Sequence, residues 1–130
     1  MNDTVILPLT VFIVDDEPLA RSRLKDLLVD CGAQIELQVV GEAGNGQEAL
    51  DKLNETPAEV VLMDIRMPQM DGLTLADTLR ASHPDLNVIF VSGYPVKHEA
   101  MGPRSRLLSK PFARTDLMNL VGEVAGPPQH

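Results

Sequence analysis

Four short apolar runs in this chain each lead into a polar, reactive residue. Val11-Phe12-Ile13-Val14 leads into Asp15-Asp16, and Val60-Val61-Leu62-Met63 into Asp64. Val88-Ile89-Phe90-Val91 leads into Ser92, and Leu107-Leu108, after Ser109, into Lys110-Pro111. Unbroken apolar runs of this length read as strands buried on both faces, the pattern of a parallel sheet. The carboxyl ends of such strands lie along one edge, where ligands bind in open α/β folds. The carboxylates of Asp15, Asp16 and Asp64, the hydroxyl of Ser92 and the ammonium of Lys110 are therefore expected to share one pocket.

Helical spacing fills the gaps between the runs. Ala20, Leu24, Leu27, Leu28 and Cys31 fall on one helix face, and Gly46, Ala49, Leu50 and Leu53 on another. Leu73, Ala76 and Leu79 follow Asp71, a good N-cap. Leu117, Leu120, Val121 and Val124 form the last face, and Gly126-Pro127-Pro128 stops it. The pattern predicts strands at about 10–15, 37–43, 60–64, 87–92 and 107–109, and helices at about 17–30, 46–54, 72–82 and 113–124. The segment 94–106 is weakly patterned and holds Pro95, Gly102 and Pro103, so any helix there is short or irregular. Alternating strands and helices with short connections imply right-handed crossovers and a three-layer α/β sandwich. The chain reads as a single domain over 1–130 with a core at about 10–125, no effector domain and a frayed tail.

Composition narrows the function. The chain has 130 residues, 44% of them hydrophobic, with only three Phe and one Tyr, so its core is aliphatic. A net charge of −8 repels nucleic acid and anionic lipid, which argues against direct nucleic-acid binding. The apolar stretch from Val5 to Val14 is too short to cross a bilayer and has no basic flank, so membrane insertion is not expected. Cys31 is the only cysteine, which suits a reducing compartment. These features together predict a soluble, cytoplasmic domain.

The acidic residues suggest cation chemistry. Neighbouring strands lie about 4.8 Å apart, so carboxylates at the ends of adjacent strands would be close. Two like charges about 4 Å apart cost about 4 kcal/mol at an effective dielectric near 20. Such a cluster must protonate or recruit a cation. Hard carboxylate oxygens suit Mg²⁺, which keeps several waters and often completes its shell with a phosphate oxygen. With Lys110 and Ser92 nearby, the set has what phosphoryl transfer to a carboxylate needs.

These residues resemble the receiver domain of two-component response regulators. The matching stretches are Val11 to Pro18, Val61 to Pro68 with Asp71-Gly72, Val91-Ser92-Gly93, and Ser109 to Phe112. The resemblance implies a flavodoxin-like (βα)5 fold with a five-stranded parallel sheet of order 2-1-3-4-5, for which a receiver protein is a standard example. It implies that Asp64 accepts a phosphoryl group from a histidine kinase or histidine phosphotransfer protein. Asp16, Asp64 and the backbone carbonyl of Arg66 would ligate Mg²⁺, with Asp15 acting through water. Lys110 would contact the phosphoryl group, and its bond to Pro111 would be cis. Ser92 would move to hydrogen-bond the phosphoryl group and bias a two-state surface of the fourth helix and fifth strand. The output would be altered binding to a downstream protein that the sequence does not identify. The chain would promote only its own phosphorylation and dephosphorylation, and so is not read as an enzyme.

Two features depart from the family pattern. Leu107 stands at the switch position, where the family usually has an aromatic residue, and Tyr94 is the candidate substitute. The stretch from Ser92 to Lys110 is short, so the fourth helix is truncated. The opening Asp15-Asp16-Glu17-Pro18-Leu19-Ala20-Arg21 is similar to that of LytTR-type regulators.

Other signals carry less. Gly41, Gly44 and Gly46 with Asn45 fit no nucleotide motif and read as a helix-opening turn. His83, His98 and His130 lack ligand spacing. Met63 is read as core, and Met67 and Met70 as loop residues shaping access to Asp64. Arg66 either leans over Asp64 or stays in solvent, and Gly93 leaves room for a phosphodonor. Two other functions fit parts of the pattern. One is a phosphorylation-independent adaptor. The other is an aspartyl-nucleophile phosphatase of haloacid-dehalogenase type, which typically carries an Asp where Arg66 stands.

Overall fold

A computed structural model describes residues 8–32 and 35–125. Its strands are β1 (Leu9–Val14), β2 (Leu37–Ala43), β3 (Val60–Asp64), β4 (Asn87–Ser92) and β5 (Ser105–Ser109). Its helices are α1 (Pro18–Cys31), α2 (Gly46–Glu55), α3 (Gly72–Ser82), α4 (His98–Met101) and α5 (Arg114–Ala125). All strand pairs are parallel, in the order β2-β1-β3-β4-β5. This is the expected flavodoxin-like arrangement. The predicted stop at Gly126-Pro127-Pro128 and the tail lie outside the described residues.

Strand alternation divides the core into two layers. Phe12, Val14, Val61, Met63, Val88 and Phe90 face α2 and α3, where Ala49, Leu53, Leu75, Ala76 and Leu79 close over them. Val11, Ile13, Val60, Leu62, Ile89 and Val91 face α1 and α5, against Leu24, Leu28, Leu117 and Val121. The central strands β1, β3 and β4 are buried almost throughout, which is why they are continuous apolar runs. β5 starts at Ser105, two residues before the apolar signal at Leu107. It is an edge strand, so its first residues, Ser105 and Arg106, can be polar and half-exposed.

The helix starts follow capping chemistry. Asn45 accepts from the Glu48 amide at 2.8 Å while Glu48 accepts from the Gly44 amide at 2.6 Å, so Gly44 to Gly46 form the turn opening α2. Gly41 instead lies within β2 opposite Phe12, whose ring a Cβ there would meet at 2.7 Å. Asp71 accepts from the Thr74 amide at 2.8 Å and caps α3. The short α4 has only four residues. Its end is closed from α3, where Arg80 donates to the Met101 carbonyl at 2.9 Å and to the Ser105 hydroxyl at 2.5 Å. Gly102 leaves this helix at a φ of 80°, and a Cβ there would lie 2.9 Å from the Arg80 guanidinium. Arg80 Nε is buried without a hydrogen-bond partner. Among the described residues, no helix is long and apolar enough to cross a membrane.

Candidate phosphoacceptor site

The register of the central strands builds the site. Val14 pairs with Met63, and Asp64 pairs with Val91. The residues that follow β1 therefore emerge beside the end of β3. Asp15, Asp16 and Asp64 each place a carboxylate oxygen within 4.8 Å of the others. Ser92 pairs with Ser109 across β4 and β5, and the Lys110 amide donates to the Ser92 carbonyl at 2.8 Å. The Lys110–Pro111 peptide is cis. Ser92 and Lys110 thus leave adjacent strands on the same edge as the carboxylates.

Asp15 is buried and Asp64 half-buried. Burial pushes both carboxyls above the ordinary range, and Asp16 adds to the rise in each. Local hydrogen bonds oppose it: the Glu17 amide donates to Asp15 at 2.9 Å, and the Arg66 amide to Asp64 at 3.3 Å. The Lys110 ammonium also pulls both down, yet the net direction stays upward. Among the described residues, none of the three forms an ion pair within 4 Å. Three close oxygen ligands with unbalanced negative charge fit a hard divalent cation such as Mg²⁺.

The turn after Asp64 is tightly built. The Ile65 amide continues the sheet to the Val91 carbonyl at 3.3 Å, and the Gly72 amide returns to the Ile65 carbonyl at 2.7 Å. A Cβ on Gly72 would lie 2.5 Å from the Asp64 carbonyl oxygen, so only glycine admits this approach. Gln69 holds a φ of 74° within the loop. One expectation needs correction here. Met67 is not an access residue of the loop; it is 9% exposed and packs into the α2–α3 side of the core, because the loop folds back over β3. Met63 is core as expected, and Met70 packs half-buried against the same cluster.

The remaining residues singled out by the sequence make contacts of their own. The Ser92 hydroxyl accepts from the Tyr94 amide and donates to the Tyr94 carbonyl, both at 3.0 Å, so its hydrogen bonds are spent within its own turn. Leu107 is half-buried and packs against the α2–α3 side of the core. The Arg66 guanidinium stacks 3.8 Å above the Tyr94 ring, a cation–π contact joining the loops after β3 and β4. Tyr94 is 56% exposed and serves as the platform for this contact. Neither this pair nor the contact of Arg21 with the Asp15 carbonyl (2.7 Å) has a local sequence signal.

Fold and site define the class: a doubly wound α/β protein with an acidic cation pocket at the carboxyl edge of its sheet. Residues 11–122 match the response regulator receiver domain, and the chain belongs to that family. Response regulator GacA of Pseudomonas viridiflava is 43% identical over 82 residues, which are 63% of this chain and 37% of that protein. Sensor kinase CckA of Brucella abortus is 37% identical over 121 residues, 88% of this chain and 12% of that protein. The chain thus spans well under half the length of either relative. Among solved structures, a two component transcriptional regulator AraC from Clostridium phytofermentans superposes with a TM-score of 0.76 at 32% identity, covering 89% of this chain and 90% of that one. The CheX–CheY–BeF3–Mg complex from Borrelia burgdorferi matches at a TM-score of 0.81 and 23% identity over 93% of this chain and 92% of that one, a likeness of fold. The comparisons lend no support to the LytTR likeness of the opening motif.

Proposed function

We propose that this chain is a cytoplasmic signalling receiver in which Asp64 accepts a phosphoryl group from a partner's phosphohistidine. The observation that carries this reading is the convergence of Asp15, Asp16 and Asp64 at adjacent strand ends, with two carboxyls raised by burial. An Asp64 carboxylate oxygen attacks phosphorus as the phosphorus–nitrogen bond breaks, and its electron pair returns to the departing imidazole. Asp16, Asp64 and the Arg66 carbonyl would hold Mg²⁺, with Asp15 acting through water. The ion would offset charge on the transferring group. Lys110, whose ammonium already acts on Asp15 and Asp64, would offset more of that charge.

A cavity of about 520 Å³ runs from Asp15 and Lys110 along α1 past Leu19 and Arg23 to Phe112. Leu19 is 84% exposed beside it, offering an apolar seat to the helix that carries the phosphohistidine. After transfer, Ser92 exchanges its bonds with Tyr94 for the phosphoryl oxygen. The loop that follows rearranges, and binding to a downstream protein changes. Leu107 offers no polar edge at the usual switch position, so this loop, with Tyr94 and Arg66, carries the signal.

The test is intact-mass spectrometry after incubation with acetyl phosphate or phosphoramidate and Mg²⁺, with Asp64→Asn in parallel. The expected result is a Mg²⁺-dependent gain of one phosphoryl group, absent from Asp64→Asn. Retained labelling in the variant would move the acceptor elsewhere. A folded chain that takes no label from small donors or a histidine kinase would be an adaptor instead. Multiple turnovers on a phosphate monoester would indicate an aspartyl-nucleophile phosphatase.

A further inference from the structure

Asp15 is held at three points. Its amide donates to the Ala43 carbonyl on β2 at 3.1 Å. Its carboxylate accepts from the Glu17 amide. Its carbonyl accepts from Arg21 Nη1 at 2.7 Å, and that carbonyl belongs to the peptide joining Asp15 to Asp16. Whatever fixes this peptide plane also fixes how the Asp15 and Asp16 Cα atoms sit relative to each other, and so constrains where their two carboxylates start.

Arg21 is itself anchored. Its Nε donates to Glu42 Oε1 at 2.8 Å, and its side chain is only 18% exposed. Glu42 lies on β2 opposite Ile13, two residues before Asp15. Its other oxygen accepts from Lys25 Nζ at 2.5 Å. Gly44 leaves space for the guanidinium, since a Cβ there would lie 3.2 Å from Arg21 Nη1. Arginine's planar fork engages two acceptors in fixed relation, which a lysine ammonium on a flexible stem does not.

We infer that Arg21 is a positioning residue for the cation site: braced by Glu42, it locks the Asp15–Asp16 peptide so that both carboxylates meet Asp64. The inference rests on the proposed function, because it takes the three carboxylates to be a Mg²⁺ site. The competing explanation is that Arg21 only ties α1 to β2. Lys25 separates the two, since it binds the same Glu42 but makes no hydrogen bond to Asp15. Residues that orient metal ligands typically change affinity by about 10- to 100-fold when removed.

The experiment is calorimetric titration of the unphosphorylated chain with MgCl₂, together with thermal unfolding in EDTA. It compares wild type, Arg21→Lys, Arg21→Met and Lys25→Met. A rise of about tenfold or more in the Mg²⁺ Kd for both Arg21 variants supports the assignment. Lys25→Met should lose thermal stability yet bind Mg²⁺ as wild type does. Arg21→Lys, which keeps a cation beside Glu42, guards against loss of folding in Arg21→Met. Equal Mg²⁺ affinity in wild type and Arg21→Lys would overturn the inference and leave the receiver reading intact. Absence of Mg²⁺ binding in the folded wild type would overturn the cation-site reading, and this inference with it.

Discussion

Glu42 and Asp64 are two carboxylates near the carboxyl ends of strands in one sheet, and their surroundings treat them oppositely. Glu42 lies between Lys25 and Arg21, whose hydrogen bonds hold its carboxyl below the ordinary range. Asp64 is half-buried near Asp15 and Asp16, and burial raises its carboxyl despite Lys110. The chain supplies its own cations to Glu42. At Asp64 it leaves negative charge only partly offset, a setting that fits a divalent cation. One carboxylate joins secondary-structure elements, and the other stores a demand for charge.

Saturating Mg²⁺ should give the largest effect. At a concentration 100 times its Kd, the ion stabilises the fold by about 2.7 kcal/mol. Urea unfolding with and without Mg²⁺ should show this gain in wild type and the loss of most of it in Asp64→Asn. Next is Gly72→Ala, whose Cβ would press on the Asp64 and Ile65 backbone. It should cost about 2 kcal/mol of stability and slow acetyl phosphate labelling, because the turn that carries Asp64 must shift.

Removing the demand for charge should help the metal-free fold. In EDTA at neutral pH, Asp64→Asn should be more stable than wild type by about 1 kcal/mol. The pH dependence fixes the sign. Asp64's carboxyl rises above 3.8 on folding, so wild type loses stability as pH climbs from 3.8 through the raised value. Its difference from Asp64→Asn should close at lower pH. An unchanged gap from acid to neutral pH would contradict the burial argument.

Glu42→Gln should have the smallest effect, a loss of about 0.5–1 kcal/mol that shrinks in high salt. Its pH dependence should run the other way. Glu42's carboxyl falls below 4.5 on folding, so its stabilisation is complete above 4.5 and disappears as pH drops through the lowered value. Chemical denaturation of both variants across this range would show two opposite slopes.

Legibility in the sequence followed burial. β1, β3 and β4 were readable because strands covered on both faces need unbroken apolar residues. The three acidic residues were readable because they follow two of those runs directly. The start of β5 was obscured because an edge strand tolerates Ser105 and Arg106. Met67 was misplaced because its burial depends on how the loop after β3 folds back, which no periodicity records. Arg66 and Tyr94 meet through stacked loops, and Arg21 reaches a main-chain carbonyl. Contacts of this kind leave no pattern, since neither residue type nor spacing announces them.

A helix as short as α4 cannot sustain itself, since one turn pays the full nucleation cost with no residues left for propagation. Its exit is instead pinned from outside: Arg80 of α3 donates to the Met101 carbonyl and the Ser105 hydroxyl, and that hydroxyl donates to the same carbonyl. Amide exchange across His98–Met101 should therefore be governed by how often these outside contacts let go rather than by helix strength, and Arg80→Met should speed it. The persistence of that stretch of surface thus rests on anchors supplied from outside the helix: Arg80, the Ser105 hydroxyl and the core around Met101.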